Sequence, residues 1–258
     1  MMRLSGFSIL ALAMLFLLGP FFIIAAAGLS AGDLLVFPPQ GLSLRWFVAI
    51  LDIERFRVSF LLSMELAIIS TGLSLLMGVP AAYALARYDV PFREAMRTII
   101  TSPVIVPAII AGLALLRYAV IPLGLPVISA LILGHTALVA PYAVRVVSVS
   151  LTHLRVDVEE AAILLGATRS GAFFRIVLPN IKNGMMAAFI LGFITSFNQV
   201  PVSLFLTGPG ISTLPIDMLG AMEFVYDPSI AALSTLLALM TILIVLLAER
   251  LLGLSRYV

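Results

Sequence analysis

The chain has 258 residues, of which 62% are hydrophobic and only 11% charged, with a formal net charge of +2 and a mean hydropathy of +1.19. That leaves too little polar surface for a water-soluble globule of this size, and the absence of cysteine excludes a disulfide framework or a thiolate metal site. The sequence pI of about 9.2 comes without any basic cluster interleaved with aromatic stacking groups, so nothing points to nucleic acid.

A helix needs roughly 20 apolar residues to cross about 30 Å of hydrocarbon. Six segments meet that length: residues 7–28, 58–86, 97–117, 125–149, 184–206 and 229–252. These runs are too long and continuous for barrel strands, and backbone groups in lipid must be bonded internally, so helices are the only solution. The expected fold is all-α, a polytopic membrane protein with six transmembrane helices forming a single domain over residues 1–258.

The first segment follows Arg3 and is too long for the apolar core of a signal peptide, so it reads as a retained anchor. Residues 29–57 form a long connection in which Pro38, Pro39 and Gly41 argue against an unbroken helix. Trp46 and Arg45 there suit a membrane interface. The second segment carries Glu65, a carboxylate that marks either a transport path or a side chain reaching for the interface. Its far end, GVPAAYALARYDVPFR from Gly78 to Arg93, has small residues that allow close helix approach, and runs into a turn charged by Arg87, Asp89, Arg93, Glu94 and Arg97. Pro103, Pro107 and Gly112 interrupt the third segment, and Gly134 and Pro141 the fourth. His135 in the fourth reads as a proton relay, a metal ligand or a histidine bonded to a neighbouring helix. The fifth segment holds Asn198, Gln199 and Pro201, the most polar interruption of any span, which favours a helix interface or a water-filled path over lipid. Asp217, Glu223 and Asp227 follow in the next connection.

With the N-terminus inside, Arg3, Arg87, Arg93, Arg97, Arg145, Arg155, Arg169, Arg175, Lys182, Arg250 and Arg256 are cytoplasmic, eleven of the fifteen basic residues. Basic residues are retained in cytoplasmic loops, so both termini and the 150–183 connection are expected inside.

That connection contains EAAILLGATRSGAFFRIVLP, Glu160 to Pro179. Asp157 is placed to cap a short helix, Glu160 stands three residues on where a capping box needs it, and Gly166 can supply a left-handed terminus. A second helix is expected from Thr168 or Ser170, presenting Phe173, Phe174 and Ile176 to an apolar surface and stopping at Pro179. The spacing of Glu160, Ala161, Ala162, Gly166, Ile176, Leu178 and Pro179 closely resembles the cytoplasmic EAA loop of permease subunits in type I ABC importers, and Asn183 stands where related chains often carry another proline. FPPQGLSLRWF (Phe37–Phe47), SFNQVPVSLFLTGPG (Ser196–Gly210) and TLPIDML (Thr213–Leu219) resemble the spermidine and putrescine subgroup, in which the position of Asn198 is often acidic.

The resemblance implies the MetI-like permease architecture in the bacterial inner membrane. The seven EAA-loop residues would couple to an ABC ATPase dimer, which would bind the ATP and magnesium. It also implies a second permease subunit, in this subgroup a different related chain, and a periplasmic substrate-binding protein. Asn198, Gln199 and Glu65 are the candidate substrate path, and the cargo would be a polyamine or another small organic solute moved by alternating access. No catalytic residue is assigned: there is no G-x-x-x-x-G-K-[ST] loop, the sole lysine, Lys182, precedes Asn183, and neither H-E-x-x-H nor G-x-S-x-G occurs. The competing readings are an ion-coupled secondary transporter using Glu65 and His135, and a scaffold that only recruits a soluble protein.

Overall fold

The computed structural model describes residues 2–224 and 227–252; Arg256, one of the basic residues assigned inside, lies outside them. Among the described residues every regular element is helical, apart from two isolated bridges. The helices are α1 (Met2–Gly28), α2 (Arg45–Asp52), α3 (Glu54–Arg87), α4 (Arg93–Ile105), α5 (Ala108–Leu123), α6 (Val127–His153), α7 (Val156–Leu164), α8 (Arg169–Phe197), α9 (Leu214–Phe224) and α10 (Ser229–Leu252). Five of them are long and apolar enough to cross a membrane, and α4 with α5 makes a bent sixth. The chain divides into two compact units, Met1–Phe60 with Asp217–Leu243, and Leu61–Ile216 with Ile244–Val258.

In the first unit the connection after α1 is folded back by a bridge between Ser30 and Leu42, and the Trp46 indole donates to the Gly32 carbonyl at 3.1 Å. Arg45 pairs with Asp33 and lies over the Trp46 ring, 4.6 Å from its centre. Asp227 begins α10 by accepting from the Ser229 amide at 2.9 Å, the bond an N-terminal cap makes. Asp217 is buried at the start of α9 and receives Arg55 Nε at 2.9 Å.

The second unit is built on α3, α6 and α8. Val79, Ala82 and Tyr83 of α3, Val144, Val147 and Leu151 of α6, and Val177, Ile181 and Ala188 of α8 form one core. Small side chains at the crossings let the helices approach closely, and Ser74 of α3 then donates across to the Thr136 carbonyl of α6 at 2.9 Å. Leu66 of α3, Ala130 and Leu131 of α6, and Val202 and Leu206 from the segment after α8 form a second core.

Two spans depart from the lengths expected from hydropathy. The third, 97–117, is not continuous: α4 and α5 meet at 91°. Pro107 disfavours helical backbone at the residue before it, and Val106 is accordingly extended, φ −72° and ψ 127°. The fifth, 184–206, is helical only to Phe197, after which a single 3-10 turn, Ser203–Phe205, carries the chain back into the core. Its length is recovered at the other end, because α8 starts at Arg169.

That early start corrects the expectation that a helix would stop at Pro179. A π turn at Phe173–Val177 immediately precedes Leu178–Pro179, and the Leu178 amide bonds five residues back to the Phe173 carbonyl. The widened turn lets the chain pass a residue with no amide hydrogen without ending the helix. The same device recurs in α5, where the π turn Leu116–Val120 precedes Ile121–Pro122.

Close packing gives a direct test. A methyl group at Gly112 would lie 2.5 Å from the Val202 carbonyl oxygen, a backbone atom that cannot rotate away, whereas one at Gly72 would meet nothing within 4 Å. Overpacking of this kind costs about 1–3 kcal/mol. Gly112→Ala is expected to lower the melting temperature of the detergent-purified protein by several degrees and Gly72→Ala to leave it unchanged or raise it. Equal melting temperatures would contradict the packing.

Candidate functional site

The Glu160–Pro179 segment folds as a hairpin of α7 and the start of α8. α7 begins after Arg155, whose backbone is extended and which provides no side-chain cap. Asp157 lies inside the first turn instead of capping it, because its carboxylate is engaged by the Arg155 guanidinium at 3.1 and 2.5 Å. The expected capping box therefore does not form. The reversal does form where expected: Gly166 has φ +95°, its amide donates to the Ile163 carbonyl at 2.9 Å, and the Ala167 amide donates to the Ala162 carbonyl at 3.0 Å. This crossed pair of bonds is the Schellman ending of a helix. Thr168 then caps α8 by accepting from the Gly171 amide at 3.0 Å.

The hairpin divides its side chains into two sets. Glu160, Ala161, Gly166 and Pro179 are exposed, Ala162, Ile176 and Leu178 are half-buried, and Leu164 and Leu165 beside the reversal are 88% and 89% exposed. Phe174 is also exposed, contrary to expectation, while Phe173 packs on Tyr83 with ring centres 4.7 Å apart. Two adjacent leucines projecting this far form an apolar tip that the chain itself does not cover.

On the inner side, residues with no assigned role carry the polar contacts. Glu159, not Glu160, is buried; it accepts from the Tyr83 hydroxyl at one carboxylate oxygen and from Arg87 Nε at 3.3 Å at the other. Arg87 also donates to the Leu151 and Leu154 carbonyls at 3.3 and 2.8 Å. The available sequence signal was helical period: Glu159 and Ala162 lie three apart on one face, and Glu160 points elsewhere.

The proposed path residues are not drawn into one cluster. Asn198 is exposed at the C-terminus of α8, where its side-chain amide donates to the Ile194 carbonyl at 3.0 Å. Gln199 Nε2 is buried without a partner. Glu65 is exposed on α3, and among the described residues it makes no hydrogen bond or ion pair. His135 is buried and bonded on both ring nitrogens, Nδ1 to Ser196 Oγ at 2.8 Å and Nε2 to Ser203 Oγ at 3.0 Å. It thereby joins α6, α8 and the 3-10 turn. The elbow between α4 and α5 opens a cavity of about 650 Å³ lined by apolar side chains with Ser102 and Tyr118, and no charged group.

Membrane-length helices, a broken span and an exposed hairpin define a polytopic helical membrane protein. The chain belongs to the family of binding-protein-dependent transport system inner membrane components, whose model matches residues 74–255. It is 30% identical to the putrescine transport system permease protein PotI of Escherichia coli over 89% of this chain and 84% of that protein. It is 31% identical to the sulfoquinovosyl glycerol transport system permease protein SmoH of Agrobacterium fabrum over 73% of this chain and 67% of that one. Among solved structures, a bacterial ABC transporter involved in the import of alginate matches with a TM-score of 0.72 and 17% identity, covering 96% of this chain and 95% of that one. The chain is thus a multi-pass inner-membrane permease subunit of an ABC importer, close to the polyamine permeases in sequence, and ATP hydrolysis belongs to a separate subunit.

The Gly166 reversal can be tested locally. A β-branched residue at φ +95° is strained by about 1–3 kcal/mol. Gly166→Val should therefore speed hydrogen exchange at the Ala167 amide by at least tenfold while leaving the core amides of α6 unchanged. Unaltered protection at Ala167 would contradict the left-handed ending.

Proposed function

We propose that the α7–α8 hairpin is the cytoplasmic element that docks on the ATPase subunit, with Glu160, Ala161, Ala162, Gly166, Ile176, Leu178 and Pro179 setting its shape. The observation that carries this reading is the apolar tip at Leu164 and Leu165, held out by the Gly166 reversal. An exposed patch of this kind at the end of a membrane bundle calls for a protein partner. The retention of basic residues around it favours the cytoplasmic side, where ATP is available, with both termini inside. An ATPase dimer binding ATP and magnesium, a second and related permease chain, and a periplasmic binding protein complete the importer. Closure of the ATPases would bias the bundle between inward-open and outward-open states.

For the cargo we propose a small organic amine of the polyamine type. The similarity to a putrescine permease supports it. So does Glu65, an unpaired carboxylate on a helix whose most apolar 18-residue stretch has a mean hydropathy of 1.8, which suits an ammonium group better than it suits lipid. Asn198 and the free Nε2 of Gln199 supply neutral hydrogen-bonding groups beside the path.

Reconstitution with the cognate ATPase and binding protein tests both parts. Uptake should require ATP and survive a protonophore; uptake that survives ATP depletion and collapses with the proton gradient would instead identify a secondary carrier. Gly166→Val should abolish co-purification of the ATPase or its stimulation by loaded binding protein. Glu65→Gln and Asn198→Leu should each reduce putrescine uptake about tenfold with the ATPase still bound, a loss of roughly 1.4 kcal/mol in effective transport. Uptake unchanged in both would remove these residues from the path.

A further inference from the structure

We infer that Arg87 is a positioning residue for coupling: a single guanidinium ties the α7 limb of the hairpin to the membrane bundle, so that a push on the tip turns the helices instead of folding the limb. The inference rests on the hairpin being the ATPase-docking element.

The two limbs are attached differently. The α8 limb continues without a break into a 29-residue helix. The α7 limb hangs from α6 by Leu154 and Arg155, both in extended backbone, φ −88° and ψ 114° at Leu154 and φ −61° and ψ 135° at Arg155. A two-residue extended link carries no helical hydrogen bond across it and bends readily. Stiffness across this joint must come from side chains.

Arg87 provides it. It is the last residue of α3, and its side chain reaches the Leu151 and Leu154 carbonyls at the end of α6 and the Glu159 carboxylate in the middle of α7. The guanidinium cannot lose its proton and presents its donors in a rigid fork, so it fixes direction as well as distance. Both partners are almost enclosed, with 9% of the Arg87 side chain and 8% of the Glu159 side chain exposed, so water does not screen the pair as it screens a surface ion pair. Tyr83, one turn earlier on α3, completes the joint by donating to the other Glu159 oxygen while its ring packs on Phe173 of α8. Both limbs of the hairpin therefore close on the same turn of α3. Arg97 with Glu94 and Arg155 with Asp157, in the same unit, pair residues close in sequence and lie exposed, so they cannot serve this purpose.

The test is made on the assembled importer. Glu159→Gln keeps the volume, removes the charge and turns one of the two accepting oxygens into a donor; Arg87→Met removes the fork. Both should retain the ATPase subunit at wild-type stoichiometry, lose at least fivefold of the stimulation of hydrolysis by loaded binding protein, and lower uptake about tenfold. Arg87→Lys, which restores charge without the fork, should recover only part of the stimulation. A merely structural role would lower the yield or ATPase content of the complex in proportion to activity and leave stimulation per assembled complex intact, which would overturn the inference, as would wild-type stimulation in both variants. Failure of the docking reading shows separately, as a wild-type chain that brings down no ATPase or a Gly166→Val chain that remains fully coupled. Should Arg87→Met fail to assemble, the Glu159→Gln stimulation ratio decides.

Discussion

Every span in this chain answers to one constraint: a backbone amide or carbonyl in hydrocarbon has no water to bond to and must find its partner within the protein. The sequence strains that rule by placing prolines inside helices, at Pro20, Pro80, Pro103 and Pro141. At Pro122 and Pro179 the helix widens by one residue just beforehand, shifting the bonding pattern to five residues back and continuing. Hydroxyl groups are recruited in the same way. Thr195, Thr235 and Thr241 donate to the carbonyls four residues earlier, so that their own polarity is satisfied without leaving the helix. At Pro107, where the preceding residue is driven to extended backbone, the rule yields and the helix breaks.

The same economy explains where the polar side chains sit. His135 spends both ring nitrogens on serines of two other segments, and so clasps the 3-10 turn that follows α8 to the core. This favours the simplest of the three readings open for it, a histidine bonded to its neighbours. Arg87, Glu159 and Tyr83 do the equivalent work at the base of the hairpin. In each place a buried polar group has its partners on different elements, which makes the contact a joint between them and not only a local bond. Gln199 Nε2 and the hydroxyls of Thr71, Thr136 and Thr213 are exceptions, buried without a partner.

The hairpin combines two opposed properties. Its inner face is held by the charged joint and by aromatic packing, and its tip exposes two leucines with no cover from the chain. A rigid base under an apolar tip suits force transmission from a soluble partner. The apolar cavity at the α4–α5 elbow is a different kind of feature, with no charged group in its lining. It marks where the bundle is discontinuous, and discontinuous helices are where transport proteins bring irregular backbone to a path.

The sequence by itself determined the membrane class, the helical fold and the place of the reversal. Apolar length permits only one backbone solution in lipid, and Gly166 followed by a Thr168 cap is local chemistry that needs no neighbour. The pattern Glu-Ala-Ala to Leu-Pro singled out the hairpin that we propose as the docking element, although the capping assigned to Asp157 was lost to Arg155, two residues away. Only the tertiary structure decided that Glu159 faces inward while Glu160 faces out, that the helix survives Pro179, that α8 ends at Phe197, and that the third span bends by 91°. These depend on which neighbour lies against which face. A carboxylate is buried only where a guanidinium from another helix meets it, and hydropathy counts residues along the chain without seeing that meeting.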